Sequence, residues 1–563
     1  MNSVNSVRRK LLIKIFCSVL LLSWGVTAFA QQKKLDSLSQ VVNTVFKPLV
    51  ADAVKIGDSP VYSDSTARIP AQTYSITPKP VNTTFNVLPI KPAQMLGEPL
   101  NKLYNSFVSI SAGLPGTFNG EGYYNSLRSK DYSWGILVRS LAGNPTLPNA
   151  GYSDYSDNQV DLYGKKFYSN STLSGDLDYT RNVVHDYGYN TSAITITDNN
   201  QTKQIYNFIS PSLRWVSHYT DSTHLNYDLR LNYFNLQTYA VPLVNENNVS
   251  LYGTAGCYYH GQWVYLDAGV NYINSGNGLD TVNQTILRAT PGVVFRDHKR
   301  NKWKLNFGIP VVCDFSKQIT PNVYLRTQFD YDVLEHILIP YAGIDGGYDV
   351  NDFKTITDIN PFLAPNALLQ NSSRKYELFA GIRGTMDAYT SYNMKATYSS
   401  VDNMPFFVTD YSDLLANKFD LVYDNVQVFN LHGELSWQKT SRLRFYAKAD
   451  YNHYQMSSLL RPWYKPQVIL SFAADYSIAE KIILKANVYY IGKQLAQSYD
   501  SNGDLAIKQL NGFLDLNLGI NYNYSRSLHL FVNLDNIANT HYDLWNNYPT
   551  QGILAMAGAS FMF

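Results

Sequence analysis

Between Asn105 and Phe563 apolar and polar side chains alternate with a period of two. Leu225, Tyr227, Leu229, Leu231 and Tyr233 are interleaved with Asn226, Asp228, Arg230 and Asn232. The pattern recurs in Val264, Leu266, Ala268, Val270 and Tyr272, in Trp303, Leu305, Phe307 and Ile309, and in Val323, Leu325, Phe329 and Tyr331. It returns in Leu443, Phe445, Ala447, Ala449 and Tyr451, and is cleanest in Leu514, Leu516, Leu518, Ile520 and Tyr522. Period two marks strands with one apolar face. Soluble sandwiches alternate as well, so strand length and the rhythm of the connections decide. The strands run about 9–14 residues, which suits a tilted membrane-crossing strand better than a soluble one. Short turns are expected at Tyr524–Arg526, Ile478–Lys481, Lys439–Ser441, Asp387–Thr390, Val333–His336, Asp297–Lys302 and His260–Gly261. Longer connections fall between them, at Ala538–Gly552, Gly492–Gly512, Gln455–Gln467, Val401–Asn425 and Asn351–Ser373. Membrane barrels alternate short and long connections in this way. With a further strand pair at about Asp157–Val184, the reading is all-β: a transmembrane antiparallel β-barrel of about 22 strands. Closure requires the strand starting near Asn105 to pair with the strand ending at Phe563, because an open sheet edge is not viable in lipid.

The N-terminal part differs in texture. Arg8, Arg9 and Lys10 precede an apolar run that ends in Ala28-Phe29-Ala30, the form of a secretory signal peptide cleaved after Ala30. Cys17 lies inside that run and is not read as a lipid anchor. Leu35, Leu38, Val42, Val45 and Leu49 have the spacing of a short amphipathic helix. Pro60, Pro70, Pro78, Pro80, Pro89, Pro92 and Pro99 then exclude a regular helix. The domains expected are a signal peptide over 1–30, a short Pro-rich periplasmic or lumenal arm over 31–104, and the barrel over 105–563.

Composition narrows the function. A formal net charge of +2 offers nucleic acid no electrostatic footprint. The 45 tyrosines suit positions apolar on one side and wet at the tip. No catalytic, cofactor-binding or metal-ligating constellation stands out. Ser501 sits in Tyr499-Asp500-Ser501-Asn502-Gly503, where outer-membrane phospholipases need a histidine two residues before the serine, and Tyr499 stands there. The histidines show no ligand spacing, and the acidic stretch Tyr152–Asn158 lacks that of a calcium loop. Cys257 and Cys313 fall in the lipid-side phase three strands apart, too far for a disulfide. Asp228, Arg230, Asp267, Lys304, Arg326, Asp330, Lys395, Arg444, Lys448, Asp450, Lys485 and Asp515 fall in the opposite phase and are expected to face the lumen. Their mixed signs suit a paired network rather than an ion-selective ring. Such a wall serves equally as a polar passage, a seat for a plug, or simply a wetted interior.

Two segments carry a family resemblance. In the last strand Ile553, Ala555, Ala557, Ala559, Phe561 and Phe563 share a face, and Gly558, Phe561 and Phe563 resemble the C-terminal signal read by the barrel-assembly machinery. Met556 stands where a polar residue is usual. The run Phe531-Val532-Asn533-Leu534-Asp535-Asn536-Ile537, followed by Tyr542, Trp545, Tyr548 and Pro549, resembles the final hairpin of TonB-dependent outer-membrane receptors, in a tyrosine-rich style similar to Bacteroidota members. Pro92–Tyr104 and Tyr123–Trp134 look like plug-less members of that group. The resemblance implies the outer membrane, its lipids as surroundings, and movement or binding of a solute with help from a periplasmic or surface lipoprotein partner. The Pro-rich arm departs from the family's far longer plug domain, and no energy-coupling box is recognisable, although Phe85-Asn86-Val87-Leu88 is suited to strand pairing. A passive pore and a non-transporting docking platform therefore remain open beside the receptor reading.

Overall fold

The computed structural model describes residues 104–563, apart from 220–223, 240–241, 277–280, 298–301, 317–319, 441, 480 and 500–503. The signal peptide, the expected N-terminal helix, all but the last residue of the Pro-rich arm, and Ser501 lie outside the described residues.

Twenty-two antiparallel strands close into one barrel. They are β1 (Ser106–Leu114), β2 (Thr117–Asn125), β3 (Tyr132–Gly143), β4 (Tyr155–Phe167), β5 (Ser171–His185), β6 (Lys203–Ser217), β7 (Asn226–Thr238) and β8 (Asn245–Tyr259). Next come β9 (Gln262–Gly276), β10 (Thr281–Arg296), β11 (Trp303–Gly308, resumed as Val311–Asp314), β12 (Thr320–Val323, resumed as Arg326–Tyr331) and β13 (Ile339–Asp349). The circle is completed by β14 (Ser372–Thr385), β15 (Thr390–Thr409), β16 (Phe419–Thr440), β17 (Leu443–Met456), β18 (Val468–Ile478), β19 (Ile482–Ile491), β20 (Phe513–Asn523), β21 (Leu528–Asp535) and β22 (Leu554–Met562). The Asp157–Val184 pair is β4 and β5. Strand order sets the short and the long connections at opposite ends of the barrel.

Closure runs as the chemistry of lipid demands. β1 pairs with β22 from Phe107↔Met562 to Leu114↔Ala555. Ser106 and Phe563 exchange both backbone N–H···O bonds at 3.1 Å. Leu229, Leu231, Leu287, Leu470, Leu514, Leu518 and Val532 project bare from one face of the sheet. Near the turn end that face carries aromatic pairs: Tyr124 with Trp134, Trp215 with Tyr227, Trp303 with Phe329, and Trp437 with Phe445. A band of leucines edged by aromatic rings is what a bilayer interface selects.

The other face is concave, as side chains that reach across an intervening strand show. Tyr163 on β4 passes over Gly135 on β3 and donates to Asn125 Oδ1 on β2 at 3.0 Å. Tyr265 on β9 passes over Gly292 on β10 to Asn306 on β11 at 3.1 Å. Tyr341 on β13 passes over Gly381 on β14 to Asn393 on β15 at 2.7 Å. A Cβ at any of the three glycines would overlap the tyrosine ring.

Two expectations need correction. The stretch Val401–Asn425 is not a long loop: β15 runs for 20 residues and β16 for 22, leaving only 410–418 as connection. Period two fails there because both faces are covered, with Phe406, Phe407 and Val408 buried in succession. β11 and β12 are interrupted opposite each other, at Ile309–Pro310 and at Tyr324–Leu325; Tyr324 N still donates to the Pro310 carbonyl, but Pro310 has no N–H to return. The connections after β13, β19 and β21 also hold structure of their own: helix α1 (Phe353–Ile359), the hairpin Gln494–Tyr499 with Leu505–Leu510, and the small hairpin Asp543–Trp545 with Tyr548–Pro549.

Candidate functional site

The main buried core of this barrel lies at its loop end. It joins Tyr206, Leu236 and Val244 on the β6–β8 side to Tyr454, Trp463, Tyr464, Ala496 and Leu510 beyond β17 and β19. Phe353, Ile356, Phe362 and Leu363 from the β13–β14 connection lie between, with Phe406, Phe407, Phe419 and Leu421 from the tips of β15 and β16. Strands β6 and β17 stand eleven apart in a circle of twenty-two, so this apolar core bridges opposite walls across the mouth.

Tyr548 is its centre. The side chain is 2 % exposed, stacks on Phe362 at 3.9 Å, and lies 4.8 Å from the Tyr187 ring and 5.8 Å from that of Phe419. Its hydroxyl donates to the Asn417 carbonyl, and burial holds the phenol well above its ordinary pKa. Asn417 in turn donates from Nδ2 to the Asp186 carbonyl at 2.6 Å. Connections after β5, β13, β15 and β21 therefore meet on one ring. Trp545 packs edge-on to Phe407 at 5.0 Å, and Tyr206 donates to the Pro361 carbonyl, tying β6 to the same closure.

Helix α1 is fixed from both sides. Asp352 caps it, accepting from Thr355 N at 2.8 Å, while Glu246 on β8 accepts from Phe353 N at 2.8 Å and Lys354 N at 3.0 Å. These N–H groups have no partner inside a helix. Burial, with the Asp352 carboxylate alongside, pushes Glu246 up to about 7. Burial likewise pushes Asp186 up to about 7, against the opposing help of Gln204 Nε2 at 3.0 Å. Lys465, whose ammonium lies 5.6 Å from the Phe406 ring, is lowered to about 8 by burial alone.

A cavity of about 350 Å³ adjoins the closure, lined by Asp154, His185, Asp515, Asp535, Tyr542 and Gln551 among others. Asp154 Oδ1, Asp515 Oδ1 and Gln551 Oε1 are buried there without a protein donor. Acceptors without donors are costly to keep dry.

The twelve charged positions share one phase of the pairing register, opposite the bare leucines. Asp228 takes Arg214 at 2.6 Å and Arg230 at 2.8 Å. Arg326 meets Asp345 at 2.9 Å, and Asp330 meets Arg383 at 2.8 Å. Lys395 shares Glu377 with Arg374, at 3.1 and 2.9 Å. Asp450 binds His432 at 2.7 Å and stands 3.8 Å from Lys448. Asp267 accepts from Thr254 at 2.7 Å, and Asp515 from Tyr542 at 3.3 Å. Lys304, Arg444 and Lys485 make no salt bridge within 4 Å among the described residues. No group of three metal-ligating side chains stands together among those residues either. Gly558 lies under the Phe531 ring, and Phe561 stacks on Phe563 at 5.6 Å. Cys257 at the turn end of β8 and Cys313 in the loop-end half of β11 are both free.

Sequence reasoning did not single out the closure. The available signal was the unbroken aromatic runs inside supposed loops, such as Phe406-Phe407 and Trp463-Tyr464.

The geometry defines a closed barrel of twenty-two antiparallel strands with a folded mouth. No family model and no curated protein matches the chain in sequence. Solved structures do match in fold. The FrpB iron transporter from Neisseria meningitidis superposes with a TM-score of 0.64 at 8 % identity, over 82 % of this chain and 82 % of that one. The pyoverdine outer-membrane receptor FpvA from Pseudomonas aeruginosa gives 0.62 at 12 %, over 82 % and 78 %. The ferric-catecholate import receptor Fiu from K12 E. coli gives 0.61 at 10 %, over 82 % and 82 %. The fold is that of the TonB-dependent outer-membrane receptors.

Proposed function

We infer that this protein is a receptor-type transporter of the outer membrane that admits a solute from the loop side. Its loop end faces the cell exterior, and its concave charged face lines the route. The observation that carries this reading is the apolar closure centred on Tyr548. A passive pore works with an open mouth, whereas here the connections after β5, β7, β13, β15, β17, β19 and β21 are spent on filling it. A closure that must yield to let a solute in is the arrangement of a gated receptor.

The cavity beside the closure supports a solute presenting hydrogen-bond donors, since its unpartnered oxygens only accept. The proteins of similar fold are named as an iron transporter, a pyoverdine receptor and a ferric-catecholate import receptor, which supports a solute taken up selectively rather than by free diffusion. Residues 31–104 would serve this route as a periplasmic arm, with a partner protein supplying what so short an arm lacks.

Single-channel conductance in planar bilayers tests the reading. The mature protein should pass no steady current, and a form lacking residues 31–100 should also stay closed until the mouth is opened by Tyr548→Ala. Free conduction by the intact protein would make it a pore. Continued silence from the truncated Tyr548→Ala protein, with the barrel folded, would favour the docking platform.

A further inference from the structure

The wall between β13 and β16 is cut along two sides and bent along a third. On one side, the β12–β13 ladder is confined to Thr327↔Ile344 through Asp330↔Tyr341. Beyond it, among the described residues, side chains make the join: Tyr324 packs on Gly346 and bonds Ser373 Oγ at 2.7 Å, Tyr348 and Asn371 bond Asp314, and Tyr348 and Val350 pack on Ile286 and Val312. On the other side, the β16–β17 ladder stops at Val426↔Met456, while β15 and β16 stay paired as far as Thr409↔Phe419. There the strand edge is held by Asp424, whose carboxylate accepts from the backbone of Ser457, Ser458 and Leu459 at 2.9–3.0 Å.

The third side is a line of irregularities. The β13–β14 ladder shifts between Asp345 and Gly347, β14–β15 between Arg374 and Tyr376, and β15–β16 between Val401 and Met404. These shifts fall in adjoining rows: Asp345, Glu377, Ser399 and Val428 form the last regular row before them. Extra residues bend a strand locally, and bends aligned across neighbouring strands make one crease. An ion pair of 2.7 Å between Lys375 and Asp402 joins the bulges of β14 and β15, and Asn403 takes a positive φ of 53°.

We propose that residues 347–373 and 402–424 form a single flap of barrel wall that swings on this crease, carrying α1 and half of the apolar closure with it. Everything loopward of the crease on β13–β16 belongs to the flap: Phe353, Ile356, Phe362, Leu363, Phe406, Phe407, Phe419 and Leu421. Its remaining attachments across the mouth are made by side chains: Glu246 to α1, Tyr206 to the Pro361 carbonyl, Asn417 to the Asp186 carbonyl, and Tyr548 to Phe362 and Asn417. The tip of the β11–β12 hairpin reaches the same side of the crease but stays outside the flap, because Val311–Asp314 remains laddered to β10. The flap gives the gated route of the receptor reading its moving part, and the test needs no solute, so it stands or fails separately from transport.

Hydrogen–deuterium exchange on the full-length protein in detergent micelles reads the motion. In the wild type, amides of 347–373 and 402–424 should exchange at matching rates that rise together with temperature, while Val311–Asp314 stays slower. Glu246→Ala, which removes two N–H bonds to a carboxylate, should speed both segments in concert by about tenfold. Acceleration of α1 alone would show helix fraying and overturn the flap. Equal acceleration of Val311–Asp314, or no acceleration of 402–424, would overturn it too. If Glu246→Ala fails to fold, the wild-type comparison decides: unrelated rates in the two segments reject a common hinge.

Discussion

Replacing Tyr548 with alanine should open the mouth without unfolding the barrel. The ring is buried against Phe362, Tyr187 and Phe419, all of them in loop-end elements. Removing a buried aromatic side chain costs about 3–5 kcal/mol, and the Asn417 carbonyl loses its donor for a further ~1 kcal/mol. None of these partners lies in the membrane-crossing part of a ladder, so the cost falls on closure rather than on the sheet. At about 1.4 kcal/mol per power of ten, the closed-to-open ratio should drop by roughly three to four powers of ten. Tyr548→Phe keeps the stack and loses only the hydroxyl, so about one power of ten is expected. The assay is amide exchange of 362–364 and 417–421, with heat-modifiable gel mobility reporting the intact barrel. Unchanged protection of those amides in Tyr548→Ala, with the barrel folded, would refute the argument that this ring holds the mouth shut.

Other expectations follow from the same structure. Leu518→Lys places a cation on the bare outer face, where about 2–4 kcal/mol of destabilisation is expected at mid-depth; urea titration in lipid vesicles measures it, and a neutral result would mean that this face does not meet lipid. Asp186, raised to about 7 when closed, keeps its proton where a solvated aspartate has lost it. Closure should be tightest near pH 4 and weaken as pH rises to about 7, then level off; Glu246 titrates in the same direction. Asp186→Asn should remove its own share of that dependence, leaving the share of Glu246, in exchange data corrected for intrinsic rates. Gly292→Val should impair barrel folding through collision with Tyr265, and adding Tyr265→Ala should restore much of it; a double variant no better than the single one would reject the contact as the cause. Deletion of Phe563 should slow assembly into the outer membrane, since it removes one ring of the Phe561–Phe563 stack and the backbone pair with Ser106.

The wall was legible in the sequence because lipid on one side and water on the other impose a strict period of two. Leu514 to Tyr522 could be assigned to a face from the pattern alone, and turn parity followed from connection length. The closure was not legible for the same reason. Where Phe406, Phe407 and Val408 are covered on both faces, alternation vanishes and a strand looks like an apolar loop. The twelve charged positions could be placed in one phase, but not matched to partners. Asp228 binds Arg214 from the neighbouring strand, and Asp330 reaches over β13 to Arg383, choices that depend on register and curvature. Tyr548 was visible only as part of a family-like hairpin, and nothing in its neighbours announced that Phe362 and Asn417 would meet it.

The tyrosine-over-glycine contacts have a consequence for how such a wall ages under mutation. Each ties strands two apart, so a ladder that slips must also break a bond it does not itself contain; the wall resists shear as plywood does, through fibres laid across the grain. The three residues of a tie are then one heritable unit. A larger residue at Gly292 is tolerable only after Tyr265 shrinks, and Asn306 then has nothing to hold; Gly135 is pressed by the Asn125 amide as well, and Gly381 by the Met394 carbonyl. Among homologous chains these positions should change together or not at all, leaving in the sequences a record of which strands are cross-tied.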